Sequence, residues 1–143
     1  MKIKPIILDT IKTQHTNYYV DIHVDSNVIM ITGDSGEGKS ALFSFLQELS
    51  TEDKRIRCFN YIDYNKRYKN SIKNSKGKLF VIDNADVLFD DNMRNYIAGD
   101  TNNQYILIGR NPTGLFLTQD NIYELVSSNS NGKVRFSLKK AFK

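Results

Sequence analysis

Three near-continuous apolar runs stand out along the chain: Val28-Ile29-Met30-Ile31, Leu79-Phe80-Val81-Ile82 and Tyr105-Ile106-Leu107-Ile108. Each is of strand length and predicts a strand buried on both faces. Residues 17–24 read differently. There Tyr19, Asp21 and His23 alternate with Val20, Ile22 and Val24, the period of a half-buried antiparallel strand. Residues 3–8 and 56–62 predict two further strands, and Asp25-Ser26-Asn27 is a turn cluster. Helical spacing appears twice. Leu42, Phe45, Leu46 and Leu49 share one face of a helix over 41–49. Met93, Tyr96 and Ile97 do the same over 90–98, with Asp90 or Asp91 as N-cap. Segments 121–126 and 133–138 flank Asn131-Gly132, a strong turn dipeptide, and predict a closing hairpin.

Strands that alternate with helices predict an α/β domain with a parallel core. In such sheets ligands bind beyond the carboxyl ends of the strands. Three strands end there in polar or glycine residues: 29–32 before Gly33, 79–82 at Asp83, and 105–109 at Arg110-Asn111. Convergence of these ends at one crevice is the active-site expectation.

Residues 33–40 supply the chemistry. Gly33-Asp34-Ser35-Gly36-Glu37-Gly38-Lys39-Ser40 is a complete G-x-x-x-x-G-K-S phosphate loop, set between a strand and a helix as its mechanism requires. The glycines let backbone N–H groups close around a di- or triphosphate, and the helix aims its positive dipole end at the same anion. Lys39 is placed to reach the β- and γ-phosphates and Ser40 to ligate Mg²⁺. Asp34 and Glu37 lie within the loop, and their charge weakens attraction for a polyanion at low salt. Asp83, ending an apolar strand downstream, is the carboxylate that holds the metal opposite Ser40.

With these two motifs the chain resembles the P-loop NTPases, in the branch that includes the AAA+ ATPases. Residues 33–40 match their Walker A motif, and Leu79–Asp83 their Walker B. Residues 105–112 are similar to their third strand element, which makes Asn111 the γ-phosphate sensor, with Arg110 beside it. The resemblance spans about residues 17–126. It implies a three-layer αβα sandwich with a mostly parallel sheet and antiparallel N-terminal and C-terminal edge strands. It also implies that ATP and Mg²⁺ are bound, and that ATP is hydrolysed slowly or on stimulation by a partner or by homo-oligomerisation.

Two departures from the family bear on turnover. The glutamate that commonly follows the Walker B aspartate is Asn84 here, so Asp86 is the substitute for orienting water. The helical lid of the family has no counterpart within 143 residues. A nucleotide-dependent switch without hydrolysis is therefore the alternative, and a small nucleotide kinase, disfavoured by length, a third. The ABC transporters share the preceding hairpin arrangement, but no LSGGQ-like signature lies between the two Walker motifs.

Composition adds constraints. The 143 residues predict one domain, 40% hydrophobic and 25% charged, which fits a folded chain and excludes a disordered one. No apolar stretch reaches the roughly 20 residues of a membrane span, and residues 1–9 lack a leader pattern. The single cysteine, Cys58, reads as a buried inert thiol and agrees with a reducing cytoplasm. Between Lys66 and Lys78 lie six basic residues and no acid. That stretch suits nucleic acid or an acidic partner, though a solvated face is the favoured reading. Tyr18 or Tyr19 is within reach of stacking on a base, but strand packing is the simpler role. His15 and His23 lack neighbours at metal-ligand spacing. Arg94, on the helix at 90–98, is a candidate arginine finger toward a neighbouring subunit, with an exposed helical arginine as the simpler reading.

Overall fold

A computed structural model describes residues 4–33, 38–60, 68–85, 90–111 and 117–142. Among the described residues the strands are β1 (Thr10–His15), β2 (Tyr18–His23), β3 (Val28–Thr32), β4 (Ile56–Phe59), β5 (Leu79–Asp83), β6 (Gln104–Ile108), β7 (Ile122–Ser130) and β8 (Lys133–Lys140). Among the described residues the helices are α1 (Lys39–Ser50), α2 (Tyr68–Lys73) and α3 (Asp91–Gly99). All eight strands form one sheet in the order β1-β2-β8-β7-β3-β6-β5-β4.

The apolar runs form the strands that their pattern dictates. Ile29, Ile31, Val81, Ile106 and Ile108 pack with Leu42, Phe43 and Leu46 of α1. The alternate residues Met30, Phe80, Ile82, Tyr105 and Leu107 pack instead with Ile72 of α2 and with Met93 and Ile97 of α3. Strands β3, β6 and β5 are thus buried on both faces and pair in parallel, β3 with β6 and β6 with β5. Each large side chain so buried contributes about 1.5–3 kcal/mol. β4 joins β5 in parallel at the sheet edge. There burial pushes the Cys58 thiol up to about 12, which keeps it protonated and inert. Asp90 rather than Asp91 caps α3, its carboxylate accepting from the Met93 N–H at 2.9 Å.

The three-layer αβα sandwich expected from the sequence is corrected. Among the described residues the molecule is mostly β, 41% strand against 25% helix, and the eight strands curl into a half-barrel instead of forming the middle layer of a sandwich. The closing hairpin is responsible for much of the difference. It was expected at an edge, but β7 pairs with β3 and β8 pairs with β2, so the hairpin is inserted in mid-sheet. It also runs longer than its apolar core, to Ser130 opposite Lys133. Asn131 and Gly132 both have positive φ, 54° and 78°, as the tight turn between twisted strands requires. Helical cover is correspondingly sparse, since α2 has only six residues.

The strand expected at residues 3–8 is corrected too. Residues 4–9 are not in a strand, and the edge strand is Thr10–His15, antiparallel to β2. The N-terminal amides are satisfied by side chains instead of a ladder. The Ile6 N–H donates to Asn27 Oδ1 at 3.1 Å, and the Ile7 and Leu8 N–H groups donate to Gln104 Oε1 at 3.0 and 2.8 Å. Gln104 Nε2 donates in return to the Leu8 carbonyl at 2.7 Å. Pro5, without an N–H, cannot donate to a ladder from inside the expected strand.

Gln104 is fully buried, so removing its amide strands three backbone groups. Gln104→Ala is expected to cost about 2–4 kcal/mol in urea unfolding, on the order of one to two unsatisfied buried groups plus a cavity. A loss below about 0.5 kcal/mol would show that this clamp does not hold the N-terminal segment.

Candidate functional site

The start of α1, the helix that follows β3 in the chain, and the carboxyl ends of β5 and β6 meet at one cavity of about 370 Å³, lined by Gly38, Lys39, Ser40, Asp83, Asn84, Gly109 and Arg110. The convergence follows from strand order. β6 lies between β3 and β5, and in register Ile31 faces Ile108, which faces Asp83, so the three strands stop at the same level. Gly109 extends that alignment by donating its N–H to the Ile31 carbonyl at 3.1 Å. Arg110, the next residue, is exposed at the cavity.

Gly33 leaves β3 at φ 149°, and Gly38 enters α1 at φ 97°. Gly38 is required there twice over. Its φ is one that side-chain-bearing residues rarely adopt, and an added Cβ would lie 2.8 Å from Phe136 Cε1 and 3.5 Å from Leu125 Cδ2. Side chains from the hairpin therefore pack directly against Gly38. α1 begins without a side-chain cap and without an acidic residue in its first turn, leaving its leading N–H groups directed at the cavity end. Lys39 Nζ donates to the Gly33 carbonyl. Ser40 is exposed beside it.

Asp83 is half-buried at the end of β5, and one of its carboxylate oxygens accepts the N–H of Asn84 at 3.0 Å. Asn84 itself has φ 54°, in the left-handed region. Ala85 then turns into the core with Met30 and Phe80. Among the described lining residues two cations, Lys39 and Arg110, face one carboxylate. No cluster of three or more His, Cys, Asp or Glu occurs among the described residues. The donor set therefore fits a polyanion with a hard cation better than an all-protein metal cage. One hydroxyl, Ser40, and one carboxylate, Asp83, match the few protein ligands that Mg²⁺ takes beside phosphate and water.

Of the residues singled out from the sequence, Gly38, Lys39, Ser40, Asp83 and Arg110 come together here. Asn111 is described and exposed but is not among the described residues lining the cavity. Asp34, Ser35, Gly36, Glu37 and Asp86 lie outside the described residues, as do Lys66 and Arg67 of the basic stretch. Three described cations of that stretch have internal uses. Lys69 pairs with Asp90, Lys73 lies over the Tyr96 ring at 5.7 Å, and Lys78 Nζ donates to the Lys54 carbonyl at 3.0 Å. Arg94 donates to Asp91 on its own helix at 2.9 Å.

Tyr18 stacks in a group of rings with Phe45 at 5.1 Å and Phe136 at 6.1 Å, and Tyr19 lies under Arg135 at 5.9 Å. His15 stacks on Phe45 at 4.5 Å and bonds to Glu48, while His23 pairs with Asp21 at 3.0 Å. Sequence reasoning missed Gly109, Phe136 and the conformation of Asn84. Only the last had a local signal, an Asn directly after a strand, since Asn tolerates positive φ far better than most residues.

Comparison with models of known protein families finds no match, and no curated protein matches the sequence. No helix of the described residues is long and apolar enough to cross a membrane.

Gly38→Ala is expected to destabilise by roughly 1–3 kcal/mol, combining backbone strain with the Phe136 clash. Adding Phe136→Leu should remove part of that cost as a coupling term in a double-mutant cycle read by denaturant unfolding. Strict additivity of the two substitutions would rule out the contact as the reason for glycine.

Proposed function

We propose that the chain binds ATP with Mg²⁺ at this cavity and hydrolyses it slowly, faster when a partner or a second copy completes the site. One observation carries the reading. Lys39 and Ser40 at the start of α1, Asp83 at the end of β5 and Arg110 beyond β6 line a single cavity, although up to 71 positions separate them. A volume near 370 Å³ falls within the range of small-ligand pockets.

The residues divide the work by charge. Lys39 already bonds a carbonyl of the loop, and a phosphate oxygen would exchange for that acceptor with a gain in charge. The uncapped N-terminus of α1 adds N–H donors and the positive end of its dipole. Ser40 and Asp83 would hold Mg²⁺ between them. Bound there, the ion would offset the negative charge of the phosphate oxygens. Arg110 lines the same cavity, where it can stabilise charge that develops on the transferred phosphoryl group. Binding there uses residues at the ends of strands and at the start of α1, the usual ligand position in sheets with parallel strands.

Thermal unfolding with Mg·ATP tests the reading. At a hundred times its dissociation constant the ligand adds about 2.7 kcal/mol, which for a chain of this size raises the midpoint by roughly 5–10 °C. Lys39→Ala should lose that shift while unfolding near the wild-type temperature without ligand. A shift of wild-type size in the variant would reject the loop as the nucleotide site. Asp83→Asn should make the shift the same with Mg²⁺ as with EDTA, because an amide is a poor partner for the ion and its water shell. If wild-type binding is already independent of Mg²⁺, Asp83 is not the metal-holding carboxylate.

A further inference from the structure

We propose that Asn84 orients the hydrolytic water, so that a carboxamide performs the task for which the sequence suggested a carboxylate. The inference rests on the nucleotide reading above and concerns the same cavity. Three observations support it. Asn84 lines the cavity with Lys39, Ser40, Asp83 and Arg110, directly beside the carboxylate assigned to the metal. Its backbone has φ 54°, a conformation open to Asn and Gly and costly for a longer acid such as Glu. Its N–H is fixed to Asp83 Oδ1 at 3.0 Å, and Ala85 is anchored in the core, so both sides of the turn are held.

The chemistry suits an amide. Its oxygen accepts a hydrogen bond from water and its NH₂ group donates to a γ-phosphate oxygen, which sets the water in line with the bond to be broken. Orientation by an amide side chain is an established solution in phosphoryl transfer, where positioning and electrostatics supply most of the catalysis. The water oxygen forms a bond to the γ-phosphorus as the bond to the bridging oxygen breaks. The electron pair leaves with ADP, and the proton of the water passes to a γ-phosphate oxygen, since a carboxamide does not accept it. Inorganic phosphate is released. With no general base, turnover belongs in the slow regime of unassisted P-loop enzymes, on the order of 10⁻⁴ to 10⁻² s⁻¹.

Three versions of the chain decide the matter: wild type, Asn84→Gly and Asn84→Asp. Glycine keeps the positive φ and deletes the amide. Aspartate keeps the shape and φ tolerance but replaces the NH₂ donor with a charged oxygen. Both variants should retain the Mg·ATP thermal shift, and kcat should fall at least tenfold at unchanged KM. Both should also lose the extra stabilisation that Mg·ADP with aluminium fluoride, a planar phosphoryl mimic, gives the wild type. Wild-type kcat in Asn84→Gly, or a raised kcat in Asn84→Asp, overturns the proposal, the latter because it would show a missing base. A wild type that binds Mg·ATP without releasing phosphate also overturns it and leaves the binding site standing. A wild type with no Mg·ATP shift overturns both.

Discussion

Burial of β3, β6 and β5 on both faces is the constraint on which the rest of the molecule depends. Once alternate side chains of one strand are committed to two separate clusters, the strand cannot slip by a residue without exchanging its faces. That fixed register sets where the three strands stop. The stopping points in turn place Gly33, Asp83 and Gly109 at one end of the sheet and leave their neighbours around a common cavity. The chemistry of the site is therefore a property of strand ends, and it is held in place by residues that never face the cavity.

The opposite end of the same strands is tied down by polar groups. Asn27, Asn103 and Gln104 are buried, and their amides bond to backbone or side-chain partners. Asn103 Nδ2 reaches the Ser75 carbonyl at 2.9 Å and Asp100 Oδ2 at 3.0 Å, and the Tyr105 hydroxyl donates to the same carboxylate at 2.5 Å. Burial pushes that hydroxyl well above the ordinary tyrosine range, so it remains a donor at any physiological pH. The sheet thus carries a closed polar network at one pole and an open, cation-bearing cavity at the other. A fully satisfied network of this kind rigidifies the scaffold from which the loops project.

The sequence made some of this legible and hid the rest for identifiable reasons. Apolar runs and the phosphate-loop spacing are local patterns, and the core strands and the start of α1 follow from them directly. The hairpin turn at Asn131-Gly132 was legible for the same reason. Its place in the sheet was not, because pairing of β7 with β3 and β8 with β2 depends on contacts about a hundred residues apart, and the sandwich expectation failed there. The N-terminal segment misled because its acceptors, Asn27 and Gln104, lie 21 and 97 positions away from Ile6 and Ile7. Asn84 was visible but was read only for the acid it lacks, when its backbone conformation was the informative property. Asp86, Asn111 and the loop residues 34–37 were chosen by motif. Of these, only Asn111 lies among the described residues.

The position of the hairpin has a consequence for how the chain is made. β8 joins β7 to β2, so the sheet exists as two pieces, β1-β2 and β3-β6-β5-β4, until residues 122–140 have been synthesised. During that interval β2 and β3 each present an unpaired edge. These edges belong to a growing chain in which β3, β5 and β6 have already been synthesised. Phe136 of β8 reaches Gly38 only after the strands that carry the cavity residues Asp83 and Arg110 have been synthesised, so the packing against Gly38 is added to a cavity whose lining already exists as chain.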